Sequence, residues 1–292
     1  MHRSGFVNIL GNPNVGKSTL MNALVGEQLS IITSKAQTTR HRIMGIVNGE
    51  DFQIVYSDTP GILRPNYKLQ ESMLKFVNTA FIDADIILYV TDVIEKSDKN
   101  ASYLERLKKA TVPVLVLVNK IDLTTESKLE ELVTAWHDTL PKAEILPVSA
   151  LEKVNLELLF DKILSLLPEG PEYYPKDALT DKNERFFVSE IIREKIFLNY
   201  EKEIPYSVQV EIESFKEEEK LTRISAIIYV ARNSQKGILI GHKGSALKKV
   251  GTQARKDIEA FLDCKVFLEM FVKVKKDWRN ESSLLKNFGY EG

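Results

Sequence analysis

Hydrophobic positions fall into two kinds of pattern along the chain. Short, nearly continuous apolar runs at 6–10, 86–90 and 112–118 predict strands. The last is apolar throughout, as a parallel strand covered on both faces should be. Runs at 43–47 and 52–56 predict two more, joined by Asn48-Gly49-Glu50-Asp51, whose Asn-Gly pair signals a hairpin turn. A further strand is predicted at 144–148. Helix-like runs occupy 19–25, 66–81, 99–109 and 155–167. Alternation of these elements predicts an α/β domain with a mostly parallel sheet. Between them, 28–42 is polar and without period, and a loop of that length inside a compact domain is usually functional.

Periodicity then stops. Three prolines and a glycine in the eight residues of Pro168-Glu169-Gly170-Pro171-Glu172-Tyr173-Tyr174-Pro175 predict a semi-stiff connector. Beyond it, an amphipathic helix is predicted over 183–200, with Phe187, Ile191, Ile192, Ile196 and Leu198 among its apolar positions. A half-buried strand follows at 207–215, where Val208, Val210 and Ile212 alternate with polar neighbours. The acidic stretch 216–220 reads as a hairpin tip. A strand at 222–231, a helix at 245–262 and a strand at 265–274 complete an α+β pattern. The expected organisation is therefore a first domain over 1–167, a linker over 168–182 and a second domain over 183–292.

Composition changes this picture little. The chain has 292 residues, enough for two domains, and is 43% hydrophobic and 28% charged. No run of about 18 apolar residues predicts a transmembrane helix. Met1-His2-Arg3-Ser4-Gly5 leads straight into the first strand, so no signal peptide is expected. Cys264, the single cysteine, is expected to be a buried thiol in a reducing, cytoplasmic setting. Charge is more informative. Residues 1–180 carry 19 basic and 23 acidic side chains, net −4, and 181–292 carry 21 and 18, net +3. Between Leu221 and Lys256 there are eight basic residues (Arg223, Arg232, Lys236, Lys243, Lys248, Lys249, Arg255 and Lys256) and no acidic one. Such a stretch is either a solvated face or the footprint of a nucleic acid.

The candidate chemistry begins where the first strand ends. Gly11-Asn12-Pro13-Asn14-Val15-Gly16-Lys17-Ser18, with Thr19 opening the helical run, is a strand–loop–helix phosphate cradle. Two glycines let successive N–H groups turn inward, and the helix adds its positive end. Lys17 can reach the β- and γ-phosphates, and the Ser18 hydroxyl can take a place on Mg²⁺. The second hairpin strand delivers Asp58-Thr59-Pro60-Gly61-Ile62. A carboxylate there suits Mg²⁺, and Gly61 lets its N–H approach a terminal phosphate. The strand at 112–118 runs into Asn119-Lys120-Ile121-Asp122. The Asp122 carboxylate can accept from N1–H and the 2-amino group of guanine, a donor pair adenine lacks. Ser149-Ala150-Leu151 can lay backbone N–H groups against a base carbonyl.

These four segments, in this order, resemble the guanine-nucleotide switch proteins of the P-loop class, and this half alone resembles a translation-factor-type GTPase. The resemblance implies a switch threonine in the long loop; Thr38-Thr39-Arg40 holds it, and either Thr38 or Thr39 can be the one that meets Mg²⁺. It implies catalytic roles for Lys17, Thr38, Thr39 and Gly61, a metal set of Ser18, Thr38, Thr39 and Asp58, and GTP or GDP as the bound nucleotide. One departure stands out. Many small GTPases carry a glutamine after the Asp-x-x-Gly glycine, and Ile62 takes its place, which implies slow intrinsic hydrolysis or another way of placing water. Asn14 can help to hold a K⁺ ion, as in related enzymes, or simply shape the loop.

In the second half, Ile240-Gly241-His242-Lys243-Gly244 precedes the helix bearing Lys248 and Lys249. A Gly-x-x-Gly alone is commonly a tight turn. Inside the acid-free stretch, in the order helix, strand, strand, helix, helix, strand, it resembles a type II KH domain. That fold clamps about four nucleotides by their backbone at this loop. Lys243 and the loop amides would meet phosphates, and Ile240 would line a neighbouring groove for bases. A P-loop GTPase domain followed by a type II KH domain is the layout of the Era family. Lys35-Ala36-Gln37-Thr38-Thr39-Arg40-His41-Arg42, Ile204-Pro205-Tyr206-Ser207-Val208 and the stretch from Phe267 to Lys275 sharpen the match, which covers nearly the whole chain. The resemblance implies a bacterial, monomeric GTPase that binds the 3′ end of small-subunit (16S) ribosomal RNA and acts in assembly of the small ribosomal subunit. It also implies peripheral association with the cytoplasmic face of the inner membrane. Lys273, Lys275, Lys276 and Arg279 are candidate contacts to RNA or anionic lipid. The alternatives are a nucleotide sensor with negligible turnover, which Ile62 favours, and an ATP-dependent kinase, against which Asn119 and Asp122 argue.

Overall fold

The computed structural model describes residues 1–95 and 101–290. The chain divides into two compact units. The first is Met1–Ser30, Thr39–Arg64 and Met73–Asp181; the second is Ile31–Thr38, Pro65–Ser72 and Lys182–Gly292.

The first unit is built on a six-stranded sheet of β1 (Arg3–Gly11), β2 (Ile43–Asn48), β3 (Phe52–Asp58), β4 (Ile86–Asp92), β5 (Val114–Asn119) and β6 (Glu144–Pro147), in the order β2-β3-β1-β4-β5-β6. Only β2 runs antiparallel, paired to β3 through the expected hairpin, in which the Gly49 N–H donates to the Phe52 carbonyl at 2.9 Å. All seven residues of β4 are buried, which is why its sequence shows no alternation. The helices are α1 (Lys17–Val25), α2 (Lys68–Ile82, of which the part from Met73 belongs here), α3 (Ala101–Lys108), α4 (Glu126–Thr139) and α5 (Leu156–Leu166). The first residues of the helix expected at 99–109 lie outside the described residues. Helix α4 has no counterpart in the sequence reading. Its apolar stripe is narrow, with Trp136 its buried residue, set edge-on to Tyr89 at 5.8 Å. Leu10, Ile62, Val77, Ile87, Val116 and Trp136 belong to one core cluster.

The stretch expected to be a connector is fastened to this unit through Asp181. Ser4 donates its N–H to the Pro168 carbonyl and its hydroxyl to the Pro171 carbonyl (3.1 and 2.6 Å). Gln53 Oε1 accepts from the N–H groups of Tyr173 and Tyr174, and the Ile46 N–H donates to the Leu179 carbonyl at 2.8 Å. Proline lacks an N–H but keeps its carbonyl, so a proline-rich segment can still act as an acceptor strap along a sheet.

The second unit carries a three-stranded sheet of β7 (Gln209–Glu218), β8 (Leu221–Val230) and β9 (Val266–Val274). β7–β8 is antiparallel and β8–β9 parallel. Helix α6 (Glu184–Asn199) is capped by Asn183, whose side chain accepts from the Phe186 N–H. The one-turn helix α7 (Ile204–Ser207) replaces the expected start of a strand at 207. Helices α8 (Asn233–Ile240) and α9 (Ser245–Leu262) follow, and a core of Ile192, Ile196, Ile224, Ile228, Val250 and Ile258 joins helices to sheet. The tail past Val274 carries α10 (Ser282–Asn287) and inserts Trp278, fully buried, with its Nε1–H donating to the Ser207 carbonyl at 3.0 Å. Cys264 is half-buried beside Thr222, more open than expected.

Candidate nucleotide site and nucleic-acid loop

Strand β1 ends in a loop whose conformation only glycine accepts at two points. Gly11 has φ +146° and Gly16 has φ +96°. A Cβ at Gly11 would lie 2.1 Å from the Val90 carbonyl oxygen, and one at Gly16 would lie 2.2 Å from Asn119 Nδ2. Lys17, which opens α1, is buried, and its ammonium donates to the carbonyls of Gly11 and Asn12 at 3.1 and 2.7 Å. Burial lowers its pKa to about 8, opposed by the charges of Asp58 and Glu95. The loop's conformation therefore keeps a desolvated cation in a ring of backbone groups.

One residue on, the Ser18 hydroxyl donates to Asp58 Oδ2 at 2.7 Å and lies 2.8 Å from Thr39 Oγ1, which itself donates to Asp58 Oδ2 at 3.3 Å. The two candidate threonines thus part company. Thr39 joins Ser18 and Asp58, while the Thr38 hydroxyl is engaged with the Lys35 carbonyl and Thr33 Oγ1, both at 2.6 Å. The Thr38 hydroxyl is thus held within its own loop. Asp58 is fully buried, and burial pushes its pKa up against the pull of Lys17 and of the hydroxyls of Ser18, Ser30 and Thr39. Its second oxygen, Oδ1, has no hydrogen-bond partner. A carboxylate with an unmatched buried oxygen beside two hydroxyls is a set of hard oxygen donors that fits Mg²⁺.

The other segments close round the loop. Thr59 donates its hydroxyl to the Ile9 carbonyl at 2.8 Å, which holds Pro60 and Gly61 against the loop. A Cβ on Gly61 would meet Pro13 at 2.7 Å. Ile62 donates its N–H to the Gly11 carbonyl at 3.1 Å and buries its side chain in the core. The Asn119 side chain donates to the Val15 carbonyl at 2.8 Å and accepts from the Ala150 N–H at 3.0 Å. Asp122 Oδ1 accepts from the Ser149 hydroxyl at 2.6 Å, which orients the carboxylate. Leu151 is exposed beside them. Sequence reasoning missed Asp92. Its Oδ2 takes the Lys120 ammonium at 2.5 Å, and that ammonium also donates to the Asn14 carbonyl at 2.7 Å. Glu95 was missed as well; it accepts from the Asn12 side chain and from Thr91. A polar residue ending a buried strand was the available signal for Asp92.

In the second unit Gly241, Lys243 and Gly244 all have positive φ (+71°, +48° and +79°). Three such residues in four make a tight turn that leaves His242 and Lys243 exposed at the start of α9, with Lys248 and Lys249 exposed on its first turns. Ile240, just before the turn, is half-buried and packs against the core. The cleft beside the loop, about 370 Å³, is lined by α9 and β9, including Leu247, Gly251, Thr252, Leu268 and Met270. Gly251 and Met270 pack closely there, since a Cβ at Gly251 would lie 2.7 Å from Met270 Cε.

Two family descriptions match: "50S ribosome-binding GTPase" over residues 6–120 and "KH domain" over 203–279. GTPase Era of Clostridium kluyveri is 47% identical over 293 aligned positions, covering 100% of both chains. The chain belongs to the Era family of GTPases. GTPase Era of Syntrophus aciditrophicus is 46% identical, covering 99% of this chain and 96% of its own. Among solved structures, this Era-family chain is similar to an Era in complex with MgGDPNP and nucleotides 1506–1542 of 16S ribosomal RNA. The TM-score is 0.95 at 38% identity, and 100% of each chain is covered. It is equally similar, at TM-score 0.95 and 38% identity, to an Aquifex aeolicus Era variant bound to GDP and AlF4⁻, with 99% of this chain and 100% of that one covered. The Era fold class, a P-loop GTPase domain followed by a KH domain, is therefore that of this chain.

Proposed function

We propose that this Era-family protein binds and hydrolyses GTP, and that it uses the nucleotide to time its hold on the 3′ end of 16S ribosomal RNA during small-subunit assembly. The observation that carries the nucleotide half is the meeting of four distant segments around one loop, with Asn119 bridging Val15 and Ala150. In this reading the ring of loop amides and Lys17 take the β- and γ-phosphates, and the Gly61 N–H meets the γ-phosphate. Asp122, with Asn119 and the turn at Ser149, selects guanine. Ser18, Asp58 and Thr39 hold Mg²⁺, which supplies charge neutralisation across the β- and γ-oxygens. The RNA half rests on the loop from Gly241 to Gly244, whose glycines let a sugar–phosphate strand approach the main chain. Crosslinking in cells, followed by sequencing of the attached RNA, tests it: small-subunit 3′ ends are expected, and their absence overturns the reading.

Ile62 supports a second reading, a sensor with negligible turnover, because its buried side chain cannot orient water. Phosphate release with and without RNA decides between them. Release in either condition favours the hydrolase, and none in both favours the sensor. Asn14, at φ +67°, is the proposed K⁺ contact, and equal hydrolysis in K⁺ and Na⁺ at matched ionic strength removes that role.

The domain limits proposed are 1–167 and 183–292, with 168–182 between them. Peripheral membrane association is proposed through Lys273, Lys275 and Lys276, all exposed, and the half-buried Arg279. Among the described residues no helix is long and apolar enough to cross a membrane. Flotation with anionic vesicles tests this, and sedimentation tests the proposed monomer.

A further inference from the structure

A further hydroxyl stands at the Asp58 carboxylate. Ser30 lies at the start of the long loop, 1% exposed, and its place is set by one residue of α1. The Asn22 side chain donates to the Ser30 carbonyl at 2.7 Å, and its Oδ1 accepts from the N–H groups of Ser30 and Leu29 at 2.9 and 3.0 Å. Asn22 follows Ser18 by four residues, about one helical turn. The same helix therefore presents the Ser18 hydroxyl directly and fixes the Ser30 hydroxyl through Asn22.

The Ser30 hydroxyl is close enough to Asp58 to favour its charged form, yet it makes no hydrogen bond of ordinary geometry to any protein atom. Asp58 Oδ1 is in the same condition. Leaving a buried polar group unmatched is destabilising, a cost that alanine at 30 would not carry. Two unmatched oxygens at one carboxylate call for a shared polar partner. Mg²⁺ dehydrates reluctantly and keeps several of its waters, which need acceptors. Ser18 and Thr39 already engage Asp58 Oδ2 directly.

We infer that Ser30 accepts a hydrogen bond from a water on the nucleotide-bound Mg²⁺, and that Asn22 is the positioning residue that holds it there. The inference rests on the metal reading of Ser18, Asp58 and Thr39 given above. Partners of this kind set metal affinity by about 10–100-fold.

The test is the Mg²⁺ dependence of fluorescent GDP release from the full chain, compared for Ser30→Ala, Asn22→Ala and Ser18→Ala. For Ser30→Ala the Mg²⁺ concentration that half-maximally slows release should rise on the order of tenfold, with release in EDTA unchanged. Asn22→Ala should move it in the same direction, and Ser30→Thr, which keeps the hydroxyl, should move it less than Ser30→Ala. A shift for Ser18→Ala with none for Ser30→Ala overturns the inference and spares the metal reading. No shift for Ser18→Ala or Ser30→Ala overturns the metal reading as well. Equal acceleration of release by Ser30→Ala in EDTA and in Mg²⁺ assigns the hydroxyl to the nucleotide and also overturns the inference.

Discussion

The Asn119 side-chain amide donates to the Val15 carbonyl at 2.8 Å, so the segment that ends β5 is bolted to the loop that follows β1. The contact is possible because Gly16 has no side chain: a Cβ there would sit 2.2 Å from the same nitrogen. The end of β5 and the loop after β1 are thereby held at a set separation.

Gly16→Ala should break this arrangement. The backbone at φ +96° is disfavoured for alanine by about 1–2 kcal/mol, before Asn119 is displaced. GDP affinity measured by calorimetry should fall at least about tenfold. An unchanged affinity would mean that Asn119 does not need Val15.

Asp122→Asn should change which base is chosen. The carboxylate is oriented by the Ser149 hydroxyl at 2.6 Å, and an amide in its place offers a donor that matches the carbonyl of xanthine. GTP binding should weaken on the order of 10⁴-fold, while xanthosine nucleotides gain. Competition binding with both nucleotides checks this, and retained guanine preference would remove the assigned role.

Asp92→Ala tests a residue that the chain's motifs do not advertise. Without Asp92, Lys120 loses the charge that aims it at the Asn14 carbonyl. A hydrogen bond to a charged group is worth about 1.5–3 kcal/mol, so GDP release should speed up by roughly tenfold. Stopped-flow release of a fluorescent GDP is the measurement. Lys120→Ala should give a similar effect, and the double variant should add little to either.

Gly244→Asp separates the two activities. At φ +79° with open space around it, the position accepts a side chain at a backbone cost but without a clash, whereas a Cβ at Gly241 would lie 2.6 Å from that of Ala246. The added carboxylate would face phosphate. RNA binding should be lost in a gel-shift or polarisation assay, with GDP affinity unchanged. For the parent chain, rising salt should weaken RNA binding as counterion release requires.

Local pattern determined a good deal about this protein. A buried parallel strand must be apolar on both faces, so β4 and β5 announced themselves. A backbone that must turn with positive φ needs glycine, so Gly11, Gly16, Gly241 and Gly244 marked both loops. Each of these demands acts within a few residues and leaves its trace in the order of residue types. Tertiary structure alone decided which threonine joins Ser18 and Asp58. Thr38 and Thr39 are chemically identical neighbours, and only the path of the loop separates them. It also decided that Ile240 packs half-buried against the core, that the proline-rich strap lies along the first sheet, and that Trp278 fills the second unit. Those outcomes, like the pairing of Asp92 with Lys120 28 positions away, depend on contacts between segments far apart in the chain. No local periodicity records a partner that folding supplies from elsewhere.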